Sequence, residues 1–217
     1  MLTGINIHKA YGTLQVLKGI DLTIQKGEVV SIVGASGAGK STLLHILGTL
    51  DTADRGEVIF NDQPIKSFKS SDLARFRNQH IGFIFQFHNL LPEFTALENV
   101  CLPGFLANAP EAQVKERAAD LLQMLNLGHR LEHKPSQMSG GEQQRTAVAR
   151  ALINSPEIIF ADEPSGNLDS ANAQELHEIF FRLRNELNQT FVIVTHNDQL
   201  ADMADRKVVM KDGYLVS

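Results

Sequence analysis

GASGAGKS, from Gly34 to Ser41, is the stretch that decides the fold. It fits the pattern G-x-x-x-x-G-K-[ST] at every fixed position, follows an apolar run and precedes the helical-looking STLLHILG. In such a loop the backbone wraps a phosphate chain, and Gly37 and Gly39 allow that close approach. Lys40 can neutralise the β- and γ-phosphates, and the Ser41 hydroxyl can ligate Mg²⁺. The stretch therefore predicts a strand, a phosphate-binding loop and a helix in succession.

Short β-branched runs, separated by segments that read as helices or loops, indicate an α/β fold with buried parallel strands. The runs are Val29 to Val33, Ile81 to Phe85, Ile158 to Ala161 and Phe191 to Thr195. The residues that follow them directly are Gly34, Gln86, Asp162 and His196. Because ligands of open α/β sheets bind at the carboxyl ends of the strands, we expect these four residues to converge on one crevice.

An acidic pair ends the third of these runs. Asp162 can hold Mg²⁺, and Glu163 can polarise an attacking water or accept its proton. A solvated turn is the alternative interpretation, and the phosphate loop argues against it. Gln86 could reach Mg²⁺ or the water, and His196 could donate a hydrogen bond to a γ-phosphate oxygen. For either of these two side chains, the alternative is a hydrogen bond to nearby backbone.

Isolated aromatic, histidine and cysteine side chains give weaker signals. Tyr11, in KAYG, could stack on adenine. His129 and His133 stand four residues apart, but a zinc site needs three or four ligands, so we expect no metal there. Cys101 is the single cysteine, which agrees with a reducing compartment and predicts a small buried residue.

QMSGGEQQR, from Gln137 to Arg145, resembles a second phosphate cradle. Exposed N–H groups at a helix start attract phosphate. The same residues satisfy the capping-box pattern S-x-x-E, in which Ser139 and Glu142 each satisfy a backbone N–H of the other. A capping box does not require two consecutive glycines, which each destabilise a helix by about 1 kcal/mol. Both interpretations therefore stay open.

Two further elements are predicted from periodicity and turn signals. Between residues 110 and 127 apolar residues recur at three- and four-residue steps, which predicts an amphipathic helix within a helical insertion from about Phe87 to Asn154. Asp212-Gly213 lies between two short apolar runs and predicts a tight hairpin.

The composition is typical of one globular domain. The chain has 217 residues and a net charge of −5, which argues against a broad basic surface for nucleic acid. No apolar run approaches the roughly 18 residues of a membrane span, and the first residues lack the apolar core of a secretory signal. We therefore expect a cytosolic chain.

Together these segments resemble the ATP-binding subunits of ABC transporters over nearly the whole chain. The residues that carry the resemblance are Tyr11, Gly34 to Ser41, Gln86, the signature-like MSGGEQQR, the pair Asp162 and Glu163, SGNLD from Ser165 to Asp169, and His196, all in family order. The departures are Met138 for leucine, Glu142 for glutamine and Ser165 for threonine. None of them removes a group with an assigned chemical role.

The resemblance implies a fold and a set of site residues. The fold is an α/β P-loop NTPase, RecA-like, with a parallel-sheet core (about 1–86 and 155–217), an N-terminal antiparallel β subdomain and an inserted helical signature subdomain (87–154). It implies catalysis by Glu163, His196 and Gln86, and Mg²⁺ held by Ser41, Gln86 and Asp162. The residues implied for ATP binding are Tyr11, Gly34, Ala35, Ser36, Gly37, Ala38, Gly39, Lys40, Ser41 and Thr42.

The resemblance also implies partners. Two copies pair head to tail, so that Ser139, Gly140, Gly141 and Asp169 of one copy complete the site of the other. A bulky residue at Gly141 should then prevent ATP-driven pairing while leaving the fold largely intact. Membrane subunits dock near residues 87–103, which puts the chain peripherally at the cytoplasmic face of the inner membrane.

Within the family, FHNLLPEFTALENVCLP, from Phe87 to Pro103, together with HKPSQMSGGEQQR and EPSGNLD, resembles the branch that serves lipoprotein release from the bacterial inner membrane. Macrolide-type efflux and cell-division ATPases are related branches and remain alternatives. A nucleic-acid-linked ABC ATPase would usually carry a long coiled coil, zinc modules or two cassettes. A P-loop GTPase would need an N-K-x-D motif. The sequence has none of these features.

Overall fold

The computed structural model describes residues 1–216, which form two sheets and the helices packed on them. The strands are β1 (Leu2–Tyr11), β2 (Leu14–Ile24), β3 (Val29–Gly34), β4 (Arg55–Phe60), β5 (Gln63–Pro64), β6 (Ile81–Phe85), β7 (Ile158–Asp162), β8 (Thr190–Val194), β9 (Arg206–Lys211) and β10 (Tyr214–Leu215). The helices are α1 (Lys40–Leu47), α2 (Ser70–His80), α3 (Ala96–Leu106), α4 (Glu111–Met124), α5 (Gly140–Leu152), α6 (Ser170–Leu187) and α7 (Asp198–Met203).

The larger sheet has the strand order β10-β9-β3-β8-β7-β6, and all of its pairs are parallel except the hairpin of β9 and β10. Every residue of β8 is buried, as expected for a parallel strand covered on both faces. All four predicted strands are present, with ends that differ by at most one residue. The phosphate loop, Gln86, Asp162 and His196 therefore follow strands that run in one direction, at one edge of the sheet.

The smaller sheet has the order β2-β1-β4-β5 and is antiparallel. It is built from the N-terminal part of the chain and packs on the face of the large sheet that carries α1, because both contribute to one apolar cluster. Leu2, Ile7 and Leu17 from the small sheet meet Leu43 and Leu44 of α1 in that cluster. This confirms the predicted antiparallel β subdomain.

The opposite face of the large sheet carries the helices α3 to α6. One apolar cluster joins Val100 of α3, Leu122 of α4 and Val148 of α5 to Phe180 of α6 and Phe191 of β8. Burying each such side chain contributes about 1.5–3 kcal/mol, so the helices are fixed to the sheet by a shared core. The predicted amphipathic helix is α4, and its apolar stripe is buried.

Predictions made from short local stretches of sequence are also confirmed. Asp212 and Gly213 have φ values of 51° and 86°, the left-handed pair that a two-residue type I′ turn requires. Ser139 and Glu142 form the predicted capping box at the start of α5. Cys101 is buried. Over residues 1–216, no helix has both the length and the apolar character needed to cross a lipid bilayer.

Candidate nucleotide site

The phosphate loop connects β3 to α1 through backbone that only glycine adopts easily. Gly37 and Gly39 have φ values of 78° and 97°, and a Cβ at Gly39 would lie 2.9 Å from a Leu17 methyl group. Gly39 also caps α1, where no side chain accepts a hydrogen bond from the first-turn N–H groups. Those N–H groups and the positive end of the helix dipole can therefore bind an anion.

Lys40 begins α1 and turns back over the loop. Its ammonium donates to the carbonyl oxygens of Gly34 at 2.9 Å and Ala35 at 3.1 Å. The loop carbonyls thus hold the cation beside the N–H groups of α1, where a phosphate chain would meet both. Ala35 and Ser36 are exposed in the loop, and Ala38 is buried beneath it.

Ser41 and Asp162 meet across the edge of the sheet. The Ser41 hydroxyl donates to Asp162 Oδ1 at 2.9 Å, and His45 Nε2, one turn further along α1, lies 3.8 Å from Asp162 Oδ2. A hydroxyl and a carboxylate held together are the hard oxygen donors that suit Mg²⁺. A cleft of about 250 Å³ opens beside them and is also lined by Gln86 and Glu163.

Glu163, which lines the cleft, forms a hydrogen-bonded pair with His196. Glu163 Oε2 accepts hydrogen bonds from His196 Nδ1 at 2.7 Å and from the His196 backbone N–H at 3.2 Å. The carboxylate fixes the imidazole in the tautomer that carries its proton on Nδ1, which leaves Nε2 free at an exposed position. The sequence named both residues but did not foresee their contact.

Gln86 bonds to a residue that the sequence did not single out by itself. Its amide nitrogen donates to Asn167 Oδ1 at 3.0 Å, and Asn167 Nδ2 donates to the Gln86 carbonyl oxygen at 3.2 Å. Gln86 lines the cleft, yet its amide makes no hydrogen bond to Ser41 or Asp162 within residues 1–216. Asn167 lies inside SGNLD, so the motif marked its position, but a pairing across 81 residues has no local signal.

Tyr11 ends β1 with its ring about half exposed. Its hydroxyl donates to Asp51 Oδ2 at 2.7 Å. The hydrogen bond to Asp51 raises the pKa of Tyr11, while the hydroxyl of Thr42, in the first turn of α1, acts in the opposite direction. The hydrogen bond to Asp51 places the Tyr11 side chain next to the segment that follows α1.

The second cradle, at the start of α5, lies next to the start of α6. Ser139 and Gly140 are exposed, and so is Asp169, which caps α6 by accepting from the Asn172 N–H at 2.9 Å. Within the described chain, none of these residues lines the cleft beside Ser41 and Asp162. The two cradles of one chain therefore do not form one cleft.

Gly141 differs from its neighbour. It is buried, and a Cβ there would lie 2.0 Å from Asn172 Oδ1, whereas a Cβ at Gly140 would meet only a Leu168 methyl group, at 3.8 Å. Asn172 also donates to Asp169 Oδ2 at 2.8 Å, so a side chain at Gly141 would disturb the cap of α6. A bulky residue at Gly141 would thus have to displace the Asn172 side chain, and the expectation that the fold stays largely intact remains a prediction.

Comparison with known proteins gives consistent matches. The family model described as ABC transporter matches residues 17–166. A protein from Cytophaga hutchinsonii named lipoprotein-releasing system ATP-binding protein LolD is 64% identical over 211 residues, covering 97% of this chain and 96% of the relative. Proteins of the same name from Bacteroides fragilis and Shewanella frigidimarina are 58% and 50% identical, covering 97% and 96% of this chain and 97% and 87% of the relatives.

A solved structure gives the same result for the fold. It is described as the dimeric, post-hydrolysis state of the ATP-binding cassette MJ0796 bound to ADP and Pi. It is similar to this chain with a TM-score of 0.91 at 39% identity, and the match covers 100% of this chain and 97% of that one. These matches confirm the predicted P-loop NTPase fold. The chain therefore belongs to the ABC transporter family, and its fold is that of the family's ATP-binding cassettes.

Proposed function

We propose that this chain is the ATP-hydrolysing subunit of a bacterial transporter that releases lipoproteins from the inner membrane. The observation that carries the hydrolytic part is the meeting of the Ser41–Asp162 contact with the Glu163–His196 pair at one edge of the sheet. The transport part is supported by relatives, 64% to 50% identical over nearly the whole chain, that are named as ATP-binding proteins of a lipoprotein-releasing system.

In the proposed reaction the phosphates of ATP lie on the N–H groups of residues 34–42, with the Lys40 ammonium beside the β- and γ-phosphates. Three side chains, those of Ser41, Gln86 and Asp162, would hold Mg²⁺. The ion when bound neutralises charge on the phosphate oxygens. The support for these ligands is that hydroxyl, carboxylate and amide oxygens are the donors this ion prefers.

Hydrolysis then needs a base and a group that stabilises the γ-phosphate. A water oxygen forms a bond to the γ-phosphorus, the bond from that phosphorus to the β,γ-bridging oxygen breaks, and Glu163 takes the proton of the water. His196, whose Nδ1 is engaged by Glu163, directs Nε2 toward a γ-phosphate oxygen. The products are ADP and inorganic phosphate.

We also propose that the active species is a homodimer. Ser139, Gly140, Gly141 and Asp169 of one copy would complete the site of the other, because these residues lie outside the cleft of their own chain. The solved relative described as dimeric supports this arrangement. ATP would close the dimer, since γ-phosphate contacts favour the closed state, and hydrolysis would reopen it.

Membrane subunits would receive this motion at residues 87–103, which would place the chain peripherally at the cytoplasmic face of the inner membrane. Phe87, Leu91 and Phe94 are exposed apolar side chains in this segment. A groove of about 740 Å³ between α2, β6, α3 and α5 is lined by Asn89 and Pro103 of the same segment. Residues 87–154, which contain α3 to α5, would act as the helical signature subdomain that moves against the nucleotide-binding core.

The hydrolytic proposal is tested by Glu163→Gln. The amide keeps the shape of the side chain but cannot accept the proton, so we expect kcat to fall about 10²- to 10⁴-fold while MgATP binding is retained. Glu157→Gln is the control, because Glu157 precedes the same strand at its opposite end and pairs with His80. Turnover of Glu163→Gln equal to that of the control would remove Glu163 from its role.

The transport proposal is tested by affinity purification of the tagged chain from membranes and by reconstitution of the copurified subunits in proteoliposomes. We expect ATP-dependent release of a bound lipoprotein, and no release when the chain carries Glu163→Gln. Copurification with an efflux or cell-division complex, without lipoprotein release, would assign the chain to another branch of the family.

A further inference from the structure

A polar cluster built on one buried lysine supports the aromatic ring of Tyr11. Lys9 is only 8% exposed, and its ammonium donates to Asp51 Oδ1 at 2.7 Å and to the Thr52 carbonyl oxygen at 2.8 Å. The Tyr11 hydroxyl donates to the other oxygen, Asp51 Oδ2, at 2.7 Å. Both carboxylate oxygens of Asp51 are therefore engaged, one by each side chain from β1. We call Lys9, Tyr11 and Asp51 the ring anchor.

The ring anchor is charged, and its charges are matched. Lysine is almost never fully buried unless it is paired, and here the hydrogen bond to Asp51 raises the pKa of Lys9. Burial acts to raise the pKa of Asp51, but the hydrogen bonds from Lys9 and Tyr11 outweigh it and lower that pKa. Asp51 is thus a carboxylate at neutral pH, and Tyr11 is a neutral donor to it.

The geometry leaves the ring accessible although its hydroxyl is fixed. Tyr11 is 53% exposed, and its hydrogen bond to Asp51 is made by the hydroxyl at the tip of the side chain, away from the ring faces. The Lys9 ammonium lies over the ring, 5.2 Å from its centroid. Lys9 and Tyr11 both reach Asp51 from β1, one at each carboxylate oxygen, although the strand has a register shift between Lys9 and Ala10.

We infer that Lys9 and Asp51 are positioning residues that hold the Tyr11 ring as a preformed stacking surface for the base of the nucleotide. The inference rests on the proposed function, because the base is that of the ATP whose phosphates occupy residues 34–42. An exposed tyrosine that is free to rotate loses side-chain entropy when it stacks on a ligand. A ring that is already fixed loses less, so the ring anchor increases affinity for the base without touching the phosphates.

The test compares two ligands, MgATP and inorganic tripolyphosphate, by isothermal titration calorimetry. Tripolyphosphate has the phosphate chain but no base. We expect Tyr11→Phe, which keeps the ring and removes only the hydroxyl, to raise the Kd for MgATP about three- to tenfold. We expect Asp51→Asn to act in the same direction. Neither variant should change the Kd for tripolyphosphate, because residues 34–42 are untouched.

Tyr214 offers a matched control. The chain has two tyrosines, and Tyr214 is also about half exposed with a lysine, Lys18, over its ring. Tyr214→Phe should leave both Kd values unchanged. In the Tyr214→Phe variant Tyr11 is the only tyrosine. The chain also has no tryptophan, so the fluorescence of this variant reports the Tyr11 ring directly. MgATP should quench that emission and tripolyphosphate should not.

The outcomes separate the inference from the proposed function. A wild-type chain that binds neither ligand would overturn the proposed function, and the inference with it. A chain that binds MgATP with the same Kd, within twofold, in wild type and Tyr11→Phe would overturn the inference alone. Equal weakening of MgATP and tripolyphosphate in Tyr11→Phe and Asp51→Asn would also overturn it, because it would indicate general distortion. The double variant should be no weaker than Asp51→Asn, since both changes break one contact.

Discussion

Glu163 has a backbone φ of 48°, in the left-handed region that side chains with a Cβ rarely adopt. Its N–H donates to the Val194 carbonyl oxygen at 2.9 Å, and its carboxylate bonds His196, which follows the same strand by two residues. These contacts to β8 hold a backbone conformation that costs about 1–3 kcal/mol. The strained conformation directs the carboxylate to the edge of the sheet instead of letting it follow the line of β7.

Gly140 gives a sharper test of the proposed dimer than Gly141. We expect Gly140→Trp to keep single-subunit ATP binding and the melting temperature, because a Cβ there meets only a Leu168 methyl group. It should abolish ATP-driven pairing, since the exposed start of α5 would carry a bulky side chain where the other copy's phosphate must lie. Size-exclusion chromatography with MgATP, in the Glu163→Gln background, measures the pairing.

Gly141→Trp is the comparison for that experiment. It should lower the melting temperature as well, because Asn172 must move away from the cap of α6. A Gly140→Trp chain that still forms the ATP-dependent dimer would leave the capping box as the only role of this stretch.

At the scale of elements, α5 is joined to the segment that follows β6 by one half-buried arginine. Arg150 donates to the carbonyl oxygens of Asn89 at 2.6 Å and His88 at 2.7 Å, and burial lowers its pKa from the ordinary value. The same arginine lines the groove proposed for the membrane subunits. Arg150 thus connects the helix of the second cradle to the segment between Gln86 and that groove.

Arg150→Met should loosen that segment. Two hydrogen bonds to a charged donor are lost, so we expect the free energy of unfolding to fall by about 2 kcal/mol. Amide hydrogen exchange of residues 88–91 should become faster than in wild type, while ATP binding is retained. Hydrogen exchange measured by mass spectrometry checks both the site and the size of the effect.

Arg182→Met is the matched control, because Arg182 of α6 also donates to a backbone carbonyl, that of Met124, far from this segment. In Arg182→Met, amide hydrogen exchange at residues 88–91 should be as fast as in wild type. If Arg150→Met behaves like this control, the segment is held by other contacts and Arg150 has no role in its order.

At the scale of the whole molecule, the helical segment and the nucleotide-binding sheet share one apolar cluster. A shared core predicts one cooperative unfolding transition for the isolated chain, whatever motions the subdomain makes in a transporter. Ligand that binds the phosphate loop should stabilise the entire chain, because native residues from both faces of the sheet unfold together.

We therefore expect MgATP to raise the melting temperature of the Glu163→Gln chain in a single transition. At a hundredfold excess over Kd the stabilisation is about 2.7 kcal/mol, which corresponds to a shift of roughly 5–10 °C for a chain of this size. Lys40→Ala should abolish most of the shift, since it removes the cation of the loop. Differential scanning calorimetry checks both points, and two resolved transitions would contradict the shared core.

Much of the fold and of the site could be predicted because the signals are local. GASGAGKS needs only its own glycines, lysine and serine to define a phosphate loop, and Asp212-Gly213 needs only two positive φ values to make a turn. Asp162 and Glu163 were found because a carboxylate pair directly follows an apolar strand. Three of the four strands differ from prediction by one residue at an end, because hydrogen bonding to neighbouring strands, which local sequence does not specify, sets where a strand stops.

By itself, then, the sequence determined the phosphate loop, the four buried core strands, the amphipathic helix α4 and the residue types at the edge of the sheet, since each depends on chain neighbours. Only the tertiary structure decided that Glu163 bonds His196, that Gln86 bonds Asn167, that Asp51 anchors Tyr11, and that a side chain at Gly141, unlike one at Gly140, would collide with Asn172. Each of these pairs residues that are about 30 to 80 positions apart. Such pairs meet because strands, helices and loops that are distant in the chain become neighbours in the folded molecule, and a local sequence pattern does not specify that placement.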